Sequence, residues 1–207
     1  MNEKLEQVDL VIFDLGGVII DIDYSLTIHS MQDLGFIKFE EMYSQQEQST
    51  LFTELEVGSM SPLLFINKLM SLGPKDISPN QIVSAWNKMI GPFREEVILI
   101  IKKLSKNYKI CLLSNTNDIH MELVMNNWKK NYNEEFKSLF SGFYLSHEIG
   151  YRKPNPEAFN HVLNSFQLTA DRALFIDDSP QHIIGAEKVG IKTHHFKDMK
   201  GLIHLIS

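Results

Sequence analysis

Leu10-Val11-Ile12-Phe13 is an unbroken apolar run that stops at Asp14 and the Gly16-Gly17 pair. A run with no polar face predicts a strand covered on both sides, as in a parallel sheet. Soon afterwards Ile19-Ile20-Asp21-Ile22-Asp23-Tyr24 alternates apolar and polar residues, which predicts a short half-exposed strand or flap. From 25 to 92 the texture changes to helical patterns rich in Leu, Met, Phe and Gln, broken at Gly35, Gly58 and Gly73-Pro74. This stretch reads as a bundle of short helices inserted after the first strand, so that 1–24 and 93–207 form the main body and 25–92 a helical cap.

The second half returns to alternation. A helix is predicted at about 95–105, a strand at 109–113, a helix from Asp118, and a strand at 142–145. A helix at 156–166, a strand at 173–176, a helix at 180–189 and a last strand at 193–196 follow. The order is that of an α/β fold with a doubly wound parallel sheet, whose right-handed crossovers place the loops after its strands on one edge. No internal repeat and no low-complexity segment interrupts it.

Polar groups that could complement one another stand at four strand ends. They are Asp14; Ser114-Asn115-Thr116; Arg152-Lys153-Pro154 in the loop after the third strand; and Asp177-Asp178-Ser179. Each also has a structural explanation. Asp before Gly-Gly can cap a turn, Ser114 to Asp118 can cap the following helix, Lys153 can be a solvated loop lysine, and Asp177-Asp178-Ser179-Pro180 can be an ordinary turn and helix start. Taken jointly, acidic groups and one lysine among hydroxyl and amide donors suit a divalent metal and a phosphate. Mg²⁺ takes hard oxygen ligands, and adjacent carboxylates need cations to stay ionised.

Composition narrows the field. The 207 residues are 43% hydrophobic and 22% charged, enough for a full core, and the formal net charge of -6 with no long basic run speaks against a nucleic-acid partner. The N-terminal residues are polar and no run is long enough to span a membrane, so a cytoplasmic protein, a monomer or weak dimer, is expected. Cys111, the single cysteine, lies in an apolar run and reads as a buried hydrophobe. Met42, Met60, Met70 and Met89 read as packing residues.

Across nearly its whole length the chain resembles the haloacid dehalogenase-like hydrolase superfamily, in the branch with a small helical cap after the first strand. Phe13-Asp14-Leu15-Gly16-Gly17-Val18, Leu113-Ser114-Asn115, Gly150-Tyr151-Arg152-Lys153-Pro154-Asn155-Pro156 and Phe175-Ile176-Asp177-Asp178-Ser179 carry the resemblance in order and spacing. The resemblance implies that Asp14 is the nucleophile, forming an aspartyl-phosphate that water hydrolyses. It implies Mg²⁺ on Asp14, the Gly16 carbonyl and Asp178, with Asp177 ligating or positioning a metal-bound water. Ser114 and Lys153 would hold the phosphoryl group, with Leu15, Gly16 and Asn115 completing the phosphate site.

One departure matters. Most phosphatases of this family carry a second Asp two positions after the nucleophile, as acid and base, and here that position is Gly16. Asp21, Asp23, a cap residue or the substrate's own groups are the candidate replacements, although Asp21 and Asp23 read as solvent-facing. Glu54, Glu56 and Gly58 could face the site or form a solvated turn, and His182 reads as a helix-surface histidine. The expected function is Mg²⁺-dependent hydrolysis of a small phosphorylated, sugar-phosphate-like metabolite. The rivals are a phosphate-binding regulatory protein with little turnover and a metal-independent 2-haloacid dehalogenase.

Overall fold

The computed structural model describes residues 5–43 and 50–206. The extreme N-terminus, 1–4, and part of the expected helical insert, 44–49, lie outside the described residues. In chain order the elements are β1 (Leu10–Phe13), β2 (Ile20–Ile22), α1 (Tyr24–Asp33), α2 (Phe39–Met42), α3 (Thr50–Glu56), α4 (Pro62–Leu72), α5 (Pro79–Trp86) and β3 (Ile90–Phe93). There follow α6 (Glu95–Leu104), β4 (Lys109–Ser114), α7 (Asp118–Asn131), β5 (Gly142–Leu145), α8 (Ser146–Ile149) and α9 (Pro156–Phe166). The chain closes with β6 (Ala173–Asp177), α10 (Pro180–Lys188), β7 (Lys192–His195) and α11 (Met199–Ile206).

Five strands form a parallel sheet in the order β5-β4-β1-β6-β7, with β1 at its centre. The apolar run of β1 is explained by its two covered faces. Val11 and Phe13 pack with Val97 and Ile101 of α6, Val124 and Trp128 of α7, and Leu202 of α11. Leu10 and Ile12 turn the other way, onto Phe159 and Val162 of α9 and Ala186 of α10. Each such side chain removed from water contributes about 1.5–3 kcal/mol, so the centre of the sheet is a firm base for whatever its loops carry. Cys111 lies wholly inside this second face, where burial pushes its thiol well up and leaves it unreactive.

The helices between β2 and β3 have a core of their own. Phe39, Tyr43, Phe52, Phe65 and Trp86 meet ring to ring, with Phe52 stacked on Trp86 at 5.3 Å and Tyr43 against it at 4.9 Å. Met60 and Met89 are buried in this cluster, and Met42 and Met70 pack against it. At the base, β2 and β3 pair antiparallel through Ile20 with Phe93 and Ile22 with Ile90. Thr27 fastens the two ends of the insert, its hydroxyl donating to the Trp86 carbonyl at 2.9 Å and accepting from the Met89 amide at 3.0 Å.

Three elements were not foreseen. β3 contains Gly91 and Pro92, which mask a strand signal and are tolerated because it has a single partner. α8 is one turn ended by Gly150 in the left-handed region at φ 76°. α11 is short but buries Leu202 and Leu205. No described helix is long and apolar enough to cross a membrane.

Candidate active site

Because the sheet is parallel, the ends of β1, β4 and β6 open on one edge, where Asp14, Ser114 and Asp177 stand. The Asp14 amide continues the ladder by donating to the Ile176 carbonyl at 2.9 Å, and the Leu15 amide donates to Asp14 Oδ1 at 2.7 Å. Gly17 then takes the left-handed conformation at φ 73°, and a Cβ there would lie 2.1 Å from Asp178 Oδ2. Only glycine lets that carboxylate come so close to the β1 loop. Arg94 braces the same loop from outside, donating to the Gly17 carbonyl and, through Nε, to Asp21 Oδ1 at 2.6 Å.

Lys153 lies at the heart of the cluster. Its ammonium, fully buried, is 2.8 Å from Asp14 Oδ1 and 2.7 Å from Asp177 Oδ2, above the Phe175 ring at 5.2 Å. Burial works against this charge, but Asp14 and Asp177 outweigh it and hold the lysine protonated. Asp177 is likewise penalised by burial, yet Lys153 and His182 keep it well below the usual carboxylate range. Asp14 goes the other way: burial first, then repulsion from Asp177, raises it well above the usual value in spite of Lys153. Burial and Asp177 also raise Asp178.

His182 is not on the surface. Only 9% exposed, it places Nδ1 3.0 and 3.1 Å from the two Asp177 oxygens. The Ser179 amide adds a third contact at 2.8 Å. The early residues of α10 turn back toward the end of β6, a tertiary contact that no neighbouring residue in the sequence marks.

Ser114 is 2% exposed and lines the pocket together with Leu15, Gly16 and Asn115. Asn115 also holds the Lys153 peptide, Nδ2 donating to its carbonyl and Oδ1 accepting from its amide, each at 2.8 Å. From the insert come Tyr24, Tyr43, Glu56 and Met89, and from the core His120, Arg152, Gln181 and His182. Glu56 meets Arg152 Nη2 at 3.1 Å, and the Gly58 turn packs so tightly on the His147 carbonyl that a Cβ would lie 2.1 Å from it. Glu54 instead pairs with Lys68 at the surface, 3.6 Å away. Asp21 is taken by Arg94 and Asp23 caps α1 by accepting from the Ser25 amide, and neither lines the pocket. Tyr24, Tyr43 and His120 carried no motif, since a pocket lining drawn from separate elements has no local period.

The donor set suits a hard divalent cation. Asp14, Asp177 and Asp178 face one ammonium, and two of the three are raised by burial and mutual repulsion, the mark of a cluster short of positive charge. Among described residues Asp14, Asp177 and His182 could also converge on an ion, but Lys153 and the imidazole already occupy Asp177. Asp14, Asp178 and the Gly16 carbonyl remain as oxygen donors toward the pocket.

Fold and site together define a Rossmann-like α/β protein with an acidic, lysine-clamped pocket beside a helical insert. The chain belongs to the haloacid dehalogenase-like hydrolase family, whose model matches residues 11–196. It is 27% identical over 183 residues to a D-ribitol-5-phosphate phosphatase of Bacteroides thetaiotaomicron, covering 88% of this chain and 89% of that one. It is 26% identical over 207 residues to a glyceraldehyde 3-phosphate phosphatase of Pyrococcus abyssi, covering 92% and 82%. Among solved structures, an alanine variant of a family enzyme from Bacteroides thetaiotaomicron, in complex with magnesium and inorganic phosphate, superposes with a TM-score of 0.89 at 30% identity, covering 95% of this chain and 98% of that one.

Proposed function

We propose that this protein is a Mg²⁺-dependent phosphatase of a small phosphorylated metabolite, working through an aspartyl-phosphate on Asp14. The observation that carries the reading is the buried contact of Lys153 with Asp14 at the end of the central strand. A carboxylate in that setting is a nucleophile with its own counter-ion. The phosphatase names of the relatives and the magnesium and phosphate of the solved neighbour support it.

In this reading Asp14 Oδ2 forms a bond to phosphorus as the bond to the substrate's alcohol oxygen breaks, and the departing alkoxide takes its proton from solvent water. Water then attacks the same phosphorus, releasing inorganic phosphate and returning the Asp14 carboxylate. Lys153 and Ser114 hold the phosphoryl oxygens, and Asn115 keeps the Lys153 peptide in place. Asp14, Asp178 and the Gly16 carbonyl would hold Mg²⁺, which supplies charge neutralisation for the transferring group. The helices of 25–92 act as the lid, with Glu56 and Arg152 as one contact between lid and body.

A panel of phosphorylated metabolites, assayed with Mg²⁺ and with chelator, tests this. Turnover that chelator removes is the expected result. Phosphate binding without turnover would favour a regulatory protein that lost its acid and base at Gly16, and chelator-resistant halide release from 2-haloacids would favour a dehalogenase.

A further inference from the structure

Among the buried polar side chains of the pocket, His120 has no task in the chemistry above. His120, in the first turn of α7, is 7% exposed and stacks on Trp86 with ring centroids 4.9 Å apart and planes 15° apart. Its Nδ1 lies 2.8 Å from Asn87 Oδ1. An amide oxygen accepts, so Nδ1 carries the ring proton and Nε2 keeps its lone pair. Burial lowers the imidazole to about 3, and the ring is therefore neutral at ordinary pH. Among the described residues nothing hydrogen-bonds Nε2, although His120 lines the same pocket as Asp14.

The surroundings sharpen this. Ile22, Met89, Ile90 and Val124 supply the apolar part of that pocket's lining, and among the described residues Arg152 Nε is a buried N–H with no partner. A ligand with hydroxyl groups satisfies both orphans, whereas a methylene in the same place leaves them desolvated and unpaired. Sites built this way reject the analogue that lacks the hydroxyl far more strongly than apolar sites reject an extra methylene.

We propose that His120 reads the leaving group, its Nε2 accepting a hydrogen bond from a hydroxyl of the alcohol being released, so that phosphates of hydroxylated alcohols are preferred over plain alkyl phosphates. The inference rests on the phosphatase reading and adds a specificity residue to it.

The test compares kcat/KM toward phosphates of three- to six-carbon polyols with that toward alkyl phosphates of matched length. Wild type is expected to favour the best polyol phosphate by at least about tenfold. His120→Phe is expected to reduce that ratio by about tenfold or more, and His120→Gln, which retains an acceptor, to keep part of it. No preference in wild type, or equal losses on both substrate classes, would overturn the proposal. Wild type and His120→Gln decide the matter if His120→Phe does not fold. Calorimetric binding of the same two phosphate classes to Asp14→Asn separates the two claims. Selective polyol-phosphate binding without turnover by wild type sinks the phosphatase reading and keeps His120's role, while turnover without selectivity does the reverse.

Discussion

Asn115 and Lys153 grip each other through a reciprocal pair of 2.8 Å hydrogen bonds, side-chain amide against backbone peptide. The pair joins the loop after β4 to the loop that carries the lysine, and so sets where the ammonium emerges between Asp14 and Asp177. Asn115→Ala leaves that peptide's N–H and C=O without their partner, at a cost of about 1–3 kcal/mol. The expected outcome is a lower Tm together with a fall in kcat/KM of about tenfold or more. Unchanged kinetics in a destabilised variant would show that Asn115 only holds the fold.

Among the described residues Lys153 is the sole cation touching two buried carboxylates, Asp14 and Asp177. Lys153→Met removes it and should cost about 3–5 kcal/mol, because breaking a buried pair leaves its partners uncompensated. Saturating Mg²⁺ should then raise the Tm of the variant more than that of wild type, since the added charge replaces the missing one. Equal shifts in thermal melts would mean that the cation site and the lysine are electrostatically independent.

Asp178→Ala tests the cation site from the other side. Its carboxylate lies against Gly17 and is raised by burial and by Asp177, so it gains from a bound cation. Calorimetry should show Mg²⁺ affinity falling at least about tenfold with the sheet intact, since one of two carboxylate ligands is lost. Undiminished affinity would move the metal elsewhere.

The frame of this molecule was legible in the sequence because its signals are local. β1, β4 and β6 are apolar runs ending in polar residues, and their parallel order sends those ends to one edge, so Asp14, Ser114 and Asp177 came together as expected. What escaped was set by tertiary contact. No neighbour in sequence marks His182 as buried, yet the first turn of α10 leans on Asp177, and the Gly and Pro of β3 mask a strand that its pairing with β2 holds. Tyr24, Tyr43 and His120 reach the pocket from separate elements, and no periodicity links them.

His120 also predicts a pH dependence. Its value falls to about 3 in the folded protein through burial, against about 6.5 in an unfolded chain. Between these limits the unfolded state binds a proton that the folded state refuses, so stability declines as pH falls below about 6.5. From pH 7 to pH 5 this group alone should remove about 2 kcal/mol of stability. Urea unfolding across that range should show a shallower decline for His120→Gln than for wild type, the difference isolating this group from His182 and the carboxylates. Parallel curves would mean that His120 can take up a proton without leaving its stack on Trp86.

Gly16 bears on the fate of the aspartyl-phosphate. An aryl phosphate has a leaving group that scarcely needs a proton, so attack by Asp14 should be fast, whereas water attack on the intermediate lacks the usual carboxylate base. A burst of aryl alcohol equal to the enzyme present, followed by a slower steady rate, is expected in wild type. Gly16 lies outside the left-handed region, unlike Gly17, so its backbone accepts a side chain; the obstacle is Ile22, whose Cγ1 would lie 3.0 Å from the new Cβ. Ile22 must give by a few tenths of an ångström, and Ile22→Val, which drops the Cδ1 that would lie 3.5 Å from the new Cβ, leaves a shorter side chain to make that shift. Gly16→Asp with Ile22→Val should therefore raise the steady rate by about tenfold or more and shrink the burst, as a carboxylate base is restored. A linear wild-type time course from the first turnover, with no phosphoenzyme trapped by acid quench, would show that another group already supplies the base.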